Sequence, residues 1–225
     1  MANNFLKLND DKTDFIIIGS RSFVPRVECK ILTVGEQSVS TSTSVKNIGA
    51  SLDSSLAMET EIKAKCMSAW WQLYQISKIK RFLTPEQVKT VTVSLVLSKL
   101  DQNNSLLHDL PDCVLIKLQR VQNSAARLLC SAGRQFDAAP LLVSLHWLPI
   151  KKRIKFKIVL LVYKCLNGIG PLYLSELLSF YSNSESRQCL RFLVSAPKLW
   201  NSLPFDLRNS PSVESFKKSL KTFLF

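Results

Sequence analysis

The chain has 225 residues, 46% of them hydrophobic, with only 6 Gly and 9 Pro; this composition excludes intrinsic disorder and can bury a core in one or two domains. Lys and Arg total 30 against 17 Asp and Glu, a net charge of +13, and strongly basic globular chains usually meet polyanions, nucleic acid more often than acidic membrane surfaces. The six cysteines form no C-x-x-C pair and the only histidines are His108 and His146, so no zinc pattern and no cofactor site is legible.

The opening residues lack the apolar stretch of a signal peptide, and no apolar run is long enough to cross a bilayer. The expectation is an intracellular protein, nuclear or cytoplasmic, not secreted and with no membrane partner. Cys66 and Cys165 fall on apolar helical faces, as buried free thiols of a reducing compartment do.

Residues 3–9 read as a helix tail or a turn. Residues 12–19, β-branched and ending in Gly19, read as a buried strand. A basic loop with Pro25 follows, then a second strand over 27–34, a turn at 35–38 and a short Ser/Thr loop or hairpin arm over 40–44. Residues 45–52 read as a third strand with a bulge or close approach at Gly49.

From residue 54 the periodicity becomes helical. A long helix over 56–82 carries Ile62, Cys66, Ala69, Leu73 and Ile76 on one face, flanked by Trp70 and Trp71. Thr84-Pro85-Glu86-Gln87 starts a second helix running to about Lys99. A polar connection over 101–111 leads to a helix from Asp112, with Val114, Leu118, Val121, Ala125 and Leu128 in register and Gly133 as its stop. A short helix over 138–145 precedes Pro149, which closes it and opens the next. That helix, residues 150–167, is apolar on nearly all sides, which places it inside a structure. Residues 171–181 form another helix, 182–191 a loose polar stretch, and 196–203 a short helix or turn holding Trp200. The chain closes on a helix from Ser212, with Val213, Phe216, Leu220 and Phe223 inward and Lys217, Lys218 and Lys221 outward. The fold class is therefore α+β, mostly α: a small antiparallel β part over 1–53, then helices over 54–133 and 134–225.

Two groups of cations stand out. Lys117, Arg120 and Arg127 share one helical face, which suits sequence-tolerant phosphate contacts. Lys151, Lys152, Arg153, Lys155 and Lys157 crowd the first turns of the central helix, where positive charge opposes the macrodipole; an anion nearby would relieve this, and a nucleic-acid backbone is one candidate. The bland alternative is a solvated basic face with the heads in water. Asp10, Asp11 and Asp14 read as an acidic turn, because on a strand adjacent residues point to opposite faces and cannot share a metal. No small-molecule substrate is evident from the motifs.

Four stretches in order resemble one family, the reverse transcriptases of LINE-type (non-LTR) retrotransposons, jockey-like branches above all. They are Leu8-Asn9-Asp10-Asp11-Lys12-Thr13-Asp14-Phe15; Val45-Lys46-Asn47-Ile48-Gly49-Ala50-Ser51-Leu52-Asp53; Leu118-Gln119-Arg120-Val121-Gln122-Asn123-Ser124-Ala125-Ala126-Arg127 leading to Leu145-His146-Trp147-Leu148-Pro149-Ile150; and Ala196-Pro197-Lys198-Leu199-Trp200-Asn201-Ser202-Leu203-Pro204 continuing to Ser215-Phe216-Lys217. The resemblance covers nearly the whole chain.

It implies a palm end, a thumb and a post-thumb region. It implies that Lys12 matches the lysine of the strand after the catalytic loop, a general acid in intact polymerases. It implies a primer-grip-like hairpin at Lys46, Asn47 and Gly49, and a DNA or RNA partner gripped by Lys117, Arg120, Arg127, Lys151, Lys152, Arg153 and Lys155. The family's magnesium-binding aspartates precede the matched segment, and where the family carries Asp-Tyr-Cys-Asn this chain has Asp101-Gln102-Asn103-Asn104. The implied chain is a truncated fragment that binds nucleic acid, holds no metal and does not polymerise alone. The rival expectations are a helical protein-interaction module of the same descent, and an active polymerase whose upstream part is missing from the gene model. A sheet lacking its central strands would also leave an edge open to self-association.

Overall fold

The computed structural model describes residues 12–20, 22–27, 30–34, 37–179 and 191–225. The residues 3–9 expected as a helix tail or turn, and residues 180–190, lie outside these. The chain is α+β and mostly helical, and it divides into two compact units, Met1–Ala64 and Lys65–Phe225.

In the first unit, β1 (Ile31–Val34) pairs antiparallel with β2 (Gln37–Ser40), and β3 (Ser44–Asn47) with β4 (Ala50–Asp53), as two separate two-stranded ladders. The strand expected over residues 12–19 does not form; Phe15 makes only an isolated bridge to Thr41. A β-branched run becomes a strand only when it finds a ladder partner. Residues 45–52 are a hairpin rather than one bulged strand. Ile48 and Gly49 both have positive φ, 45° and 76°, the mirror-image turn whose twist matches that of paired strands.

Asp53 ends the hairpin and builds the entry to the first helix. Its carboxylate accepts the amides of Ala57 at 2.8 Å and Met58 at 2.7 Å and the Ser55 hydroxyl at 2.9 Å, across a turn where Leu56 and Met58 have φ of 52° and 56°. Glu61 then ties the hairpin to that helix by accepting the Ser51 amide at 2.8 Å.

The helix is α1 (Glu59–Ile79), with Ile62, Ala69, Leu73 and Ile76 buried on one face as the spacing requires. Thr84 caps α2 (Pro85–Thr92) through a full capping box with Gln87. The helix continues through a π-helical turn, Val93–Leu97, into α3 (Ser98–Asp101). Hydroxyls of Thr90, Ser94 and Ser98 each donate to the carbonyl four residues back, back-bonding that loosens a helix.

Next come α4 (Asp112–Cys130), α5 (Ala139–Ser144), α6 (Ile150–Leu166) and α7 (Leu172–Ser179). Helix α4 ends earlier than Gly133: Ser131 takes the left-handed cap at φ 53°. The loose stretch expected up to residue 191 is bounded by α8 (Arg191–Asn201), which runs through Pro197. Then follow α9 (Phe205–Arg208) and α10 (Val213–Leu224), whose N-cap Ser212 accepts the Ser215 amide.

The core of the second unit gathers on α6. Val159 and Tyr163 pack against Leu203, Leu207, Phe216 and Leu220, with the Tyr163 and Phe216 rings stacked 4.0 Å apart. Phe223, expected inward, is half exposed; the inward stripe of α10 continues from Leu220 to Leu224 instead.

Candidate nucleic-acid interface

Two helices build the site. Lys117 on α4 acts electrostatically on Cys66 of α1, and fourteen residues on, just past the end of each helix, the Lys80 ammonium donates to the Ser131 hydroxyl at 2.8 Å. The constant offset means that α1 and α4 run side by side in the same direction. Lys80 also donates to the Leu128 carbonyl, satisfying an acceptor at the end of α4 that the helix leaves open.

Between them lies a groove of about 800 Å³, walled by Trp70 and Tyr74 on one side and Ser124, Arg127 and Arg134 on the other. Trp70 and Tyr74 are 45% and 56% exposed, so both rings present surface to the groove. Met67 and Trp71 continue the exposed apolar stripe around α1. On α4, Lys117 and Arg120 are exposed on the same helical stripe as Ser124 and Arg127. Burial pushes the Cys66 thiol up from its usual value, and the nearby Lys117 ammonium pulls it partly back.

The candidate cations are not equally available. Arg127 aims two guanidinium nitrogens, Nε and Nη2, at the Phe136 carbonyl, at 3.1 and 3.0 Å. At the start of α6, Lys151 pairs with Asp112, Arg153 forms a two-pronged pair with Asp101, and Lys152 donates to the Phe225 carbonyl at 3.1 Å. The anions that answer the positive helix start are thus carboxylates of the chain itself. Lys155 and Lys157 are exposed.

In the first unit, Lys46, Asn47 and Gly49 sit together at the tip of the β3–β4 hairpin, exposed, and Lys12 and Asp14 are exposed near Phe15. Among the described residues, no three His, Cys, Asp or Glu side chains gather as a metal site, and no helix is long and apolar enough to cross a membrane.

The third sequence stretch singled out above folds onto itself. Gln122, with no exposed surface, donates to the Leu148 carbonyl at 2.9 Å and accepts from Gln119 at 3.0 Å. Gln119 in turn accepts the Ile150 amide at 2.9 Å. The two glutamines clamp the Trp147–Ile150 turn that launches α6, so the halves of the stretch are one structural unit. Sequence reasoning missed this clamp, as it missed Asp53 and the exposure of Tyr74. A glutamine on an apolar helical face, as Gln122 is, was the available signal.

No family model, curated protein or solved structure matches the chain.

Proposed function

We propose that the chain binds nucleic acid through the α1–α4 groove, as the thumb-like part of a LINE-type reverse-transcriptase fragment, and does not itself polymerise. The observation that carries the binding reading is the pairing of two exposed aromatic rings, Trp70 and Tyr74, with a line of cations across one groove. Phosphates supply sequence-tolerant, salt-dependent affinity, and rings add stacking on any base. The family reading rests on the four ordered motifs, of which the Gln119–Ile150 stretch and the Lys46–Gly49 turn are compact local structures here. The cations lining the groove are Lys80, Arg127 and Arg134, the first two also donating to carbonyls of the chain, and the exposed Lys117 and Arg120 extend the α4 stripe beyond it.

The rival reading, a helical protein-interaction module, draws on the exposed Met67, Trp71 and Phe82 along the same helix and its continuation. Photo-cross-linking separates the two. An oligonucleotide carrying 5-iodouracil should attach to Trp70 or Tyr74. Adducts confined to other aromatic residues, such as Tyr173 or Phe205, would overturn the assignment of the groove.

A further inference from the structure

A second cavity, of about 420 Å³, lies elsewhere in the helical unit, between α6, α10 and the π-helical turn before α3. Its size is that of small-molecule sites, which span about 300–1,000 Å³. Trp147 and Phe156 line it, the first almost wholly buried and the second half-buried. Three cations line it, Arg153, Lys157 and Lys221, against one carboxylate, Asp101. Asp101, the one carboxylate in the lining, is already spent on Arg153, which leaves Lys157 and Lys221 without a carboxylate partner among the residues that line the wall.

Two further features single the cavity out. Asn104 lines it, is only 6% exposed, and its Oδ1 has no hydrogen-bond partner among the described residues. A buried acceptor left unpaired is costly, and an N–H carried in by a ligand would satisfy it. The π-helical turn supplies Val93 and Leu97 to the same wall, and such turns occur frequently at functional sites.

We infer that this cavity binds an anion of the nucleoside-monophosphate class with its flat base beside Trp147 and Phe156, an exocyclic amino N–H of the base toward Asn104 Oδ1, and the phosphate on Lys157 and Lys221. Aromatic walls select a flat ring, and two ammonium groups select the anion. The site is separate from the α1–α4 groove and does not depend on its assignment.

The test is calorimetric titration of the full chain with adenosine 5′-monophosphate, adenosine and inorganic phosphate. The monophosphate should bind at least about tenfold more tightly than either half. Lys157→Ala/Lys221→Ala should remove that advantage while leaving adenosine binding unchanged; both lysines are exposed, so the fold should survive, as circular dichroism would verify. Phe156→Leu should weaken adenosine and monophosphate alike. Lys117→Ala/Arg120→Ala, on the α4 stripe, should change nothing. A smaller discrimination between monophosphate and its halves, or an affinity that follows Lys117/Arg120 instead of Lys157/Lys221, would overturn the inference.

Discussion

Replacing Gln122 by Met tests whether the glutamine clamp holds the turn into α6. Met keeps the length of the side chain and removes both of its hydrogen bonds. The Leu148 carbonyl, which accepts from Gln122 Nε2 at 2.9 Å, is left without that donor, and Gln119 loses one of its two acceptors, keeping Asn123 at 2.7 Å. Orphaning one buried acceptor costs about 1–3 kcal/mol. For a chain of this length that lowers Tm by about 2–12 °C, at roughly 2–4 °C per kcal/mol. Gln119→Met should cost a similar amount by freeing the Ile150 amide. Because the two act as one network, the double variant should depart from additivity by about 0.5 kcal/mol or more. Urea denaturation followed by far-ultraviolet circular dichroism gives the stability, and hydrogen exchange at the Ile150 amide gives the local readout. A Gln122→Met chain within about 0.5 kcal/mol of the parent, the range of ordinary surface changes, would refute the clamp.

Gly49→Ala should open the β3–β4 hairpin, because φ of 76° costs a Cβ-bearing residue about 1–2 kcal/mol; unchanged exchange protection of the Val45 and Leu52 amides would contradict this. Near pH 8, alkylation should reach the exposed Cys113 and Cys130 before Cys66, whose raised thiol pKa leaves less thiolate. Raising the pH should speed Cys66, and Lys117→Ala should slow it, since the ammonium is what pulls that pKa back down; equal rates would argue against its burial. The chain should also incorporate no nucleotide in template-directed synthesis with magnesium or manganese, since metal-held carboxylates supply most of the rate in that chemistry. Incorporation that survives purification and vanishes in Asp14→Ala would contradict this.

The helices were legible because their signals are local. Thr84-Pro85-Glu86-Gln87 carries a complete capping box within four residues, and the apolar spacing of α4 alone names its buried face. The strands were less legible because a strand is defined by its partner: residues 12–19 have the composition of a strand, but only Phe15 makes a bridge. By periodicity the Ile48–Gly49 turn reads as a bulge, because one glycine serves either purpose, whereas the resemblance implies a hairpin there. The fold class needed neither detail.

The candidate sites divide in the same way. The stripe of Lys117, Arg120 and Arg127 follows from helical pitch. That Arg153 is spent on Asp101, 52 positions earlier, follows only from tertiary structure. So does the meeting of Trp70, which flanks the apolar face of its helix in sequence, with Arg127 and Arg134 across one groove.

The binding account stands most directly on a salt titration. Affinity for duplex nucleic acid, measured by fluorescence anisotropy from about 50 to 200 mM salt, should fall steeply, by roughly a factor of ten for each 1.4 kcal/mol lost. In Lys117→Ala/Arg120→Ala the slope of log affinity against log salt should become shallower by about two, one for each phosphate contact removed. A slope unchanged by that double substitution, or no duplex binding at the lowest salt, would contradict the account.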